Sequence, residues 1–308
     1  MSLAGNGNLP RLLIIGARGF LGSFIARRSS GQYQVVRADR SHVNDDTDVV
    51  VDVTDAASVW QAVYTVRPDA VVLLAAISDI DRCQREPETA LAVNLHGPQH
   101  VADACVRTGA RLLFTSTGAV FDGRRKGYSE EDAVSPLSIY GESKARAEAA
   151  VQALMPSAVI LRFSLVIGRA GKTGTNSLLD SMIRRWNSGE VVSASPLESR
   201  NPIDAGTLSQ WMLELLADEH LCGIFHAGAT DAMTRYELAR AIADQLHVPE
   251  QLVKSELVMP AGRAPRGEHH LLVTSKISRA CATQATSCKE VIERSLNEVA
   301  EGSLRAGV

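Results

Sequence analysis

The chain has no CxxC pair among its five cysteines (Cys83, Cys105, Cys222, Cys281, Cys288), and their odd number argues against a disulfide framework or a zinc site. They read as reduced thiols. Long hydrophobic runs are also missing: the longest, Ala70 to Ile77, is far too short to cross a bilayer. The start of the chain lacks the charged-then-apolar order of a signal peptide, and together these features lead us to expect a cytoplasmic protein with no membrane contact. There is little excess of one charge. A formal net charge of -3, with both signs interspersed, leaves no surface-wide field to favour nucleic acid, so an anionic ligand has to be held by a local site.

What is present is ordinary for a globular protein, with 45% hydrophobic and 22% charged residues over 308 positions. That length allows one large domain or two modest ones. The small, polar opening from Met1 to Leu9 reads as a frayed end or a remnant outside the fold.

The first half alternates short β-branched runs with amphipathic stretches, the pattern of βαβ units on a parallel sheet. Strands are expected at Arg11 to Gly16, Tyr33 to Ala38, Ala70 to Ala75, Ala110 to Ser116 and Ala158 to Arg162. Between them, Phe20 to Arg28, Ala56 to Val66, Glu88 to Thr108 and Ser138 to Leu154 repeat apolar residues at three- and four-residue intervals and predict covering helices. After Gly168 the pattern loosens into a loop, a helix from about Asn176 to Asn187, and a further loop through Pro202. A helix at Leu208 to Leu216 and a strand at Gly223 to His226 bring the chain back to the sheet before another helix, Thr234 to Leu246. The expected fold is therefore α/β: a Rossmann-type doubly wound parallel sheet over residues 1–167, with 203–230 returning to it. A smaller, discontinuous C-terminal lobe for substrate comprises 168–202 and 231–308.

The first strand runs into Gly16-Ala17-Arg18-Gly19-Phe20-Leu21-Gly22, a turn that opens a helix. Glycines there permit a tight turn and let backbone N–H groups approach a pyrophosphate at the helix N-terminus. A spaced glycine triplet alone is weak, but its place between strand and helix points to a dinucleotide. Asp39 ends the second strand, where a carboxylate can accept from both adenosine ribose hydroxyls, which favours NAD. Arg18 and Arg40 could instead pair with the 2′-phosphate of NADP. The cofactor is thus NADP or NAD, with the balance slightly toward NADP(H). Asp52 and Val53 are candidates for the adenine, and Ala75 and Ala76 leave room for the cofactor backbone. Asn94, an amide in mid-helix, either caps a local kink or orders water near the site.

Tyr140-Gly141-Glu142-Ser143-Lys144 is the sharpest constellation. At i and i+4 the tyrosine and lysine share one helix face, so the ammonium is expected near the phenol, favouring its ionised form. Of the five tyrosines only Tyr140 is so paired, and it follows the strand ending Thr115-Ser116-Thr117, whose hydroxyls would lie over the sheet's C-terminal edge. Thr117, Tyr140 and Lys144 are the expected catalytic residues. His269-His270 has no further ligands at a recognisable spacing, so no metal is assigned.

With GARGFLG, LLAAISD, NLHG, TSTGAVFDG and YGESK in that order, the chain resembles the extended short-chain dehydrogenase/reductases, and within them most the dTDP-4-dehydrorhamnose reductase group. The resemblance continues through LRFSLVIG, GIFHAGA, MTRYELARAIAD and the stretch from Ala264 to Lys276. It implies a small-molecule substrate, a nucleotide sugar, reduced at a 4-keto carbon. Tyr140 would exchange the proton, Thr117 would bind the reacting oxygen, and Lys144 would hold the nicotinamide ribose. Departures fall on the sugar side: Gly118-Ala119 where the group has Asp-Tyr, Leu165 and Ile167 where it has Trp and Tyr, and Gly267, His270 and Val273 around a retained Arg266. Gly118, Leu165 and Arg266 are the candidate substrate contacts. The chain also resembles the regulatory beta subunit of methionine adenosyltransferase, so a cofactor-binding regulatory subunit is one alternative. An epimerase or dehydratase that retains its cofactor is another, and a homodimer is left open.

Overall fold

The computed structural model describes residues 9–41, 47–170, 176–257 and 262–298. The segment Met1 to Asn8, read above as a frayed end, and part of the loop after Gly168 lie outside them. Six strands from the first 163 residues enter one sheet: β1 (Arg11–Ile15), β2 (Gln34–Asp39), β3 (Val49–Val50), β4 (Ala70–Leu73), β5 (Arg111–Thr117) and β6 (Val159–Phe163). Then come β7 (Leu165–Ile167), β8 (Val192–Ala194), β9 (Ser199–Arg200) and β10 (Pro202–Asp204) before β11 (Gly223–Ala227), which rejoins the sheet beside β6. All seven strands are parallel, in the order β11-β6-β5-β4-β1-β2-β3.

Alternation along the strands explains why the sheet is covered on both faces. Leu13 and Ile15 of β1 and Val71 and Leu73 of β4 enter one core, while Leu12, Ile14, Ala70 and Val72 enter the other. The first core is closed by α2 (Ala56–Val66), α5 (Gly97–Thr108) and α6 (Ile139–Leu154). The second is closed by α1 (Phe20–Ser29) and α8 (Ala205–Ala217), where Trp211 is fully buried. Two short helices, α3 (Ile80–Arg85) and α4 (Pro87–Leu91), follow β4. Chain order reverses between β1 and β4, and the crevice at the C-terminal ends of these strands is where an open α/β sheet holds its ligand.

A third core lies beyond the sheet. It gathers α7 (Leu178–Asn187), α9 (Arg235–Gln245), α11 (Cys288–Asn297), β8 and β13 (Val253–Ser255). β12 (Met233–Thr234) and β14 (His269–His270) flank β9, and α10 (Ser275–Ala280) returns toward β11. Thr234 with Glu237 and Ser287 with Glu290 form capping boxes that start α9 and α11.

The long helix expected over Glu88 to Thr108 is divided. Ala92–His96 takes π-helical hydrogen bonding between α4 and α5, with the Gly97 amide donating to the Ala92 carbonyl. Pro98 has no N–H with which to continue the α-helical ladder through this point. The extra backbone width turns Asn94 inward.

Candidate active site

A cavity of about 1210 Å³ runs from the glycine turn to the second lobe. Gly16, Arg18, Gly19, Phe20, Leu21, Gly22, Asp39, Arg40, Asp52, Val53, Ala75 and Ala76 all line its first half. Gly16 has φ +91°, and a Cβ there would stand 2.7 Å from the Ala75 amide nitrogen. At Gly22 a Cβ would lie 2.5 Å from the Ala17 carbonyl oxygen. Both positions therefore require glycine, the first for conformation and closeness and the second for packing of helix on turn.

The residues present fit a dinucleotide phosphate for a further reason. Asp55, Ser138, Ser177, Asp204, Thr234 and Ser287 each accept an N-cap hydrogen bond at their helices. Helix α1 begins at Gly19 with no side-chain cap and no acidic residue in its first turn. Its free amides face the cavity, an arrangement suited to an anion.

Asp39 is engaged locally. Its Oδ2 accepts from the Arg18 amide at 3.2 Å and its Oδ1 from the Arg40 amide at 2.8 Å, so the carboxylate ties the glycine turn to the end of β2. Arg18 Nη1 donates to Ser41 Oγ at 3.2 Å, which places guanidinium, hydroxyl and Arg40 at one corner. Asp52 Oδ1 accepts from the Thr54 amide and hydroxyl, which hold its carboxyl below the usual range, and Val53 packs over Gly97.

Asn94 is placed apart from the cavity lining. Fully buried, it accepts from the Ile77 amide at 2.9 Å and donates to the Ile77 carbonyl at 3.0 Å. It thus fixes the 76–78 backbone that borders the cleft, which matches a kink-stabilising role.

Thr117, Tyr140 and Lys144 meet in mid-cavity. The start of α6 packs so closely on the turn Gly118–Val120 that a Cβ at Gly141 would overlap the Ala119 carbonyl oxygen, which holds Tyr140 beside Thr117. Burial pushes the Tyr140 phenol up to about 12, and its hydrogen bond with the Thr117 hydroxyl opposes this only in part. The ammonium expected at the phenol is directed elsewhere. Lys144 Nζ donates to the Thr115 carbonyl at 2.7 Å and sits 4.0 Å over the Phe114 ring. Burial lowers its pKa to about 7 against the upward pull of Glu148, so Lys144 does not ionise the phenol in this arrangement. Behind it Glu148 and Arg162, both buried, pair at 2.6 Å, and Ser116 Oγ donates to the same carboxylate.

Of the three sugar-side candidates, Leu165 and Arg266 line the cavity. Gly118 does not: its open side is covered by His270, Leu272 and Ser164, with the His270 Cβ 3.3 Å from where a Cβ would stand. His270 is buried, and burial drops its pKa to about 3. Among the described residues no group of three or more His, Cys, Asp or Glu could hold a metal.

The far half of the cavity carries a cluster that local sequence spacing does not signal. Arg200, Arg235, Arg263 and Arg266 line that half together with Glu198. Arg200 donates to the Gly267 and Glu268 carbonyls, and desolvation lowers its pKa to about 10 although Glu198 raises it. Arg263 pairs with Glu198 at 2.6 Å, and Arg266 with Asp81 at 2.9 Å. Four guanidiniums face two carboxylates, so the cluster retains positive charge for an anionic ligand.

The family described as RmlD substrate binding domain matches residues 10–301. A dTDP-4-dehydrorhamnose reductase of Mycobacterium tuberculosis is 32% identical over 255 residues, covering 80% of this chain and 79% of the relative. A methionine adenosyltransferase 2 subunit beta of Danio rerio is 30% identical over 248 residues, covering 79% and 76%. The crystal structure of dTDP-4-dehydrorhamnose reductase from Bacillus anthracis in complex with NADP superposes with a TM-score of 0.84 at 26% identity, covering 94% of this chain and 99% of that one. With a glycine turn and an uncapped helix fitted to a dinucleotide, the chain belongs to the RmlD substrate-binding family and is an NAD(P)-dependent oxidoreductase of the extended short-chain dehydrogenase/reductase type.

Proposed function

We propose that the protein reduces the 4-keto group of a nucleotide sugar with NAD(P)H. The observation that carries this is the order of groups along one cavity: a phosphate-ready helix terminus, then Thr117, Tyr140 and Lys144, then the arginine cluster. Such a cleft accepts a dinucleotide at one end and a second diphosphate at the other, with the sugar between them.

Bound at the glycine turn, the nicotinamide cofactor supplies the hydride. The protein's part is proton delivery and orientation. A phenol raised to about 12 remains protonated at neutral pH, so Tyr140 is a donor to the oxygen formed on reduction, and Thr117 accepts from or donates to the same centre. Lys144, anchored to the Thr115 carbonyl, lies one turn further along α6 and would hold the cofactor ribose. Arg18 and Arg40 receive the 2′-phosphate, which inclines the choice to NADPH. The methionine adenosyltransferase beta subunit among the relatives supports a second reading, a cofactor-binding regulatory subunit of a partner enzyme.

The test is incubation with NADPH and a panel of 4-keto nucleotide sugars, following absorbance and product mass. Stoichiometric NADPH oxidation with a mass gain of two hydrogens supports a reductase. Sugar conversion without NADPH consumption replaces it with an epimerase or dehydratase, and inertness across the panel favours the subunit reading.

A further inference from the structure

Asp81 lies just outside the cavity, on α3 of the sheet domain, yet it binds the segment 262–267 that crosses from the second lobe. Three hydrogen bonds converge on its carboxylate. The Ala264 amide donates to Oδ1 at 2.8 Å, Arg266 Nη1 to Oδ1 at 3.0 Å and Arg266 Nη2 to Oδ2 at 2.9 Å. The second Nη1 proton goes to the Ala264 carbonyl at 3.0 Å, so the guanidinium is held end-on by the carboxylate and from one side by its own segment.

This arrangement leaves a particular edge available. Nη1 is the terminal nitrogen on the Cδ side, so the donors not committed to Asp81 or Ala264 are Nε–H and the remaining Nη2–H. They form the side-on fork of the guanidinium, which matches two oxygens of one phosphate. Arg266 lines the cavity beside the other arginines. The pair is the tie between the segment and α3 at the mouth of the cleft.

We propose that Asp81 is a positioning residue: it orients Arg266 and its segment so that the Nε–Nη2 edge is presented, preformed, to a diphosphate in the far half of the cavity. The inference rests on the reading of that half as the place for the substrate's diphosphate. Arg266 in turn holds the Asp81 carboxyl at about 2, so the pair stays charged throughout the neutral range. Two effects oppose each other when Asp81 is removed. Its negative charge repels an incoming anion, so its loss would tighten binding, but this repulsion is screened at the open mouth. Against it, a released side chain and segment have to be ordered again on binding, which weakens it. The sign of the change identifies which role Asp81 has.

Titration calorimetry of inorganic pyrophosphate, with the glycine turn kept occupied by saturating NADP+, against wild type, Asp81→Ala, Asp81→Asn, Arg266→Ala and the Asp81→Ala/Arg266→Ala double variant reads this directly, with thermal melts as the check on folding. Asp81→Ala is expected to weaken pyrophosphate about five- to tenfold, Asp81→Asn less, and Asp81→Ala to add nothing once Arg266 is gone. Equal or tighter binding in Asp81→Ala, additive losses in the double variant, or wild-type binding that does not depend on Arg266 each overturns the proposal. Should Asp81→Ala fail to fold, the Asp81→Asn comparison alone decides by the same sign. Failure of 4-keto sugar reduction with these results intact removes only the reaction assignment.

Discussion

Replacing Gly22 by alanine should abolish tight dinucleotide binding while leaving the protein folded. The new Cβ would stand 2.5 Å from the Ala17 carbonyl oxygen and 2.6 Å from both the Ala17 carbonyl carbon and the Gly16 oxygen. Restoring ordinary contact requires the turn to move by roughly 1 Å, since packed atoms tolerate little overlap. The turn has no room to retreat as a unit, because the Gly16 Cα already approaches the Ala75 backbone closely enough to exclude a side chain. The displacement therefore falls on the amides that open α1. Hydrogen bonds to charged groups contribute about 1.5–3 kcal/mol each, so losing one or two costs about 2–4 kcal/mol, or roughly 30- to 1,000-fold in Kd. Helix propensity acts the other way, favouring alanine by up to about 1 kcal/mol. Calorimetric titration with NADPH, beside a thermal melt, separates the two. NADPH affinity within threefold of wild type would refute the assignment of this turn to the cofactor.

Other outcomes follow from the same geometry. Asn94→Ala removes both of its hydrogen bonds to the half-buried Ile77 backbone, whose carbonyl keeps the Cys83 thiol as a donor, and should lower stability by about 1–3 kcal/mol, read by urea unfolding. Glu148→Gln leaves Arg162 buried without its carboxylate and should cost about 3–5 kcal/mol, measured the same way. Arg18→Ala/Arg40→Ala should weaken NADPH selectively, and equal weakening of NADH would remove their 2′-phosphate role. Lys144 has a folded pKa near 7, below its usual 10.5, so between these values the unfolded chain binds more protons and stability contributed by this group rises with pH. The stability of wild type relative to Lys144→Met should therefore increase from pH 7 to 9.5, and a flat difference would contradict the burial of its charge.

The glycine turn, the parallel sheet and the Tyr140–Lys144 spacing were legible because each is local: a strand, a turn and a helix face are written within a few residues of each other. Long-range effects were not. The i,i+4 spacing puts Tyr140 and Lys144 on one face of α6, but only the packing of β5 shows Lys144 drawn to the Thr115 carbonyl. Asn94 was ambiguous because its partner, Ile77, lies 17 residues away. Arg200, Arg235 and Arg263 share no spacing and meet only when β9, α9 and the 262–267 segment converge. Gly118 follows Thr117 directly, a position that predicts a sugar contact, but His270, distant in sequence, covers it. The pair β7 with β10, which bridges toward the second lobe, is too short and irregular to show a period.

The central claim is that Tyr140 delivers a proton to the oxygen of a carbonyl reduced by the bound cofactor. Its most direct test is a single-turnover experiment with NADPH deuterated at both C4 positions and a 4-keto nucleotide sugar accepted by the wild type. Deuterium should appear at the former carbonyl carbon, and Tyr140→Phe should slow its transfer by at least about 100-fold with NADPH affinity unchanged. Transfer at the wild-type rate in Tyr140→Phe, or a product carrying no deuterium, would contradict the account.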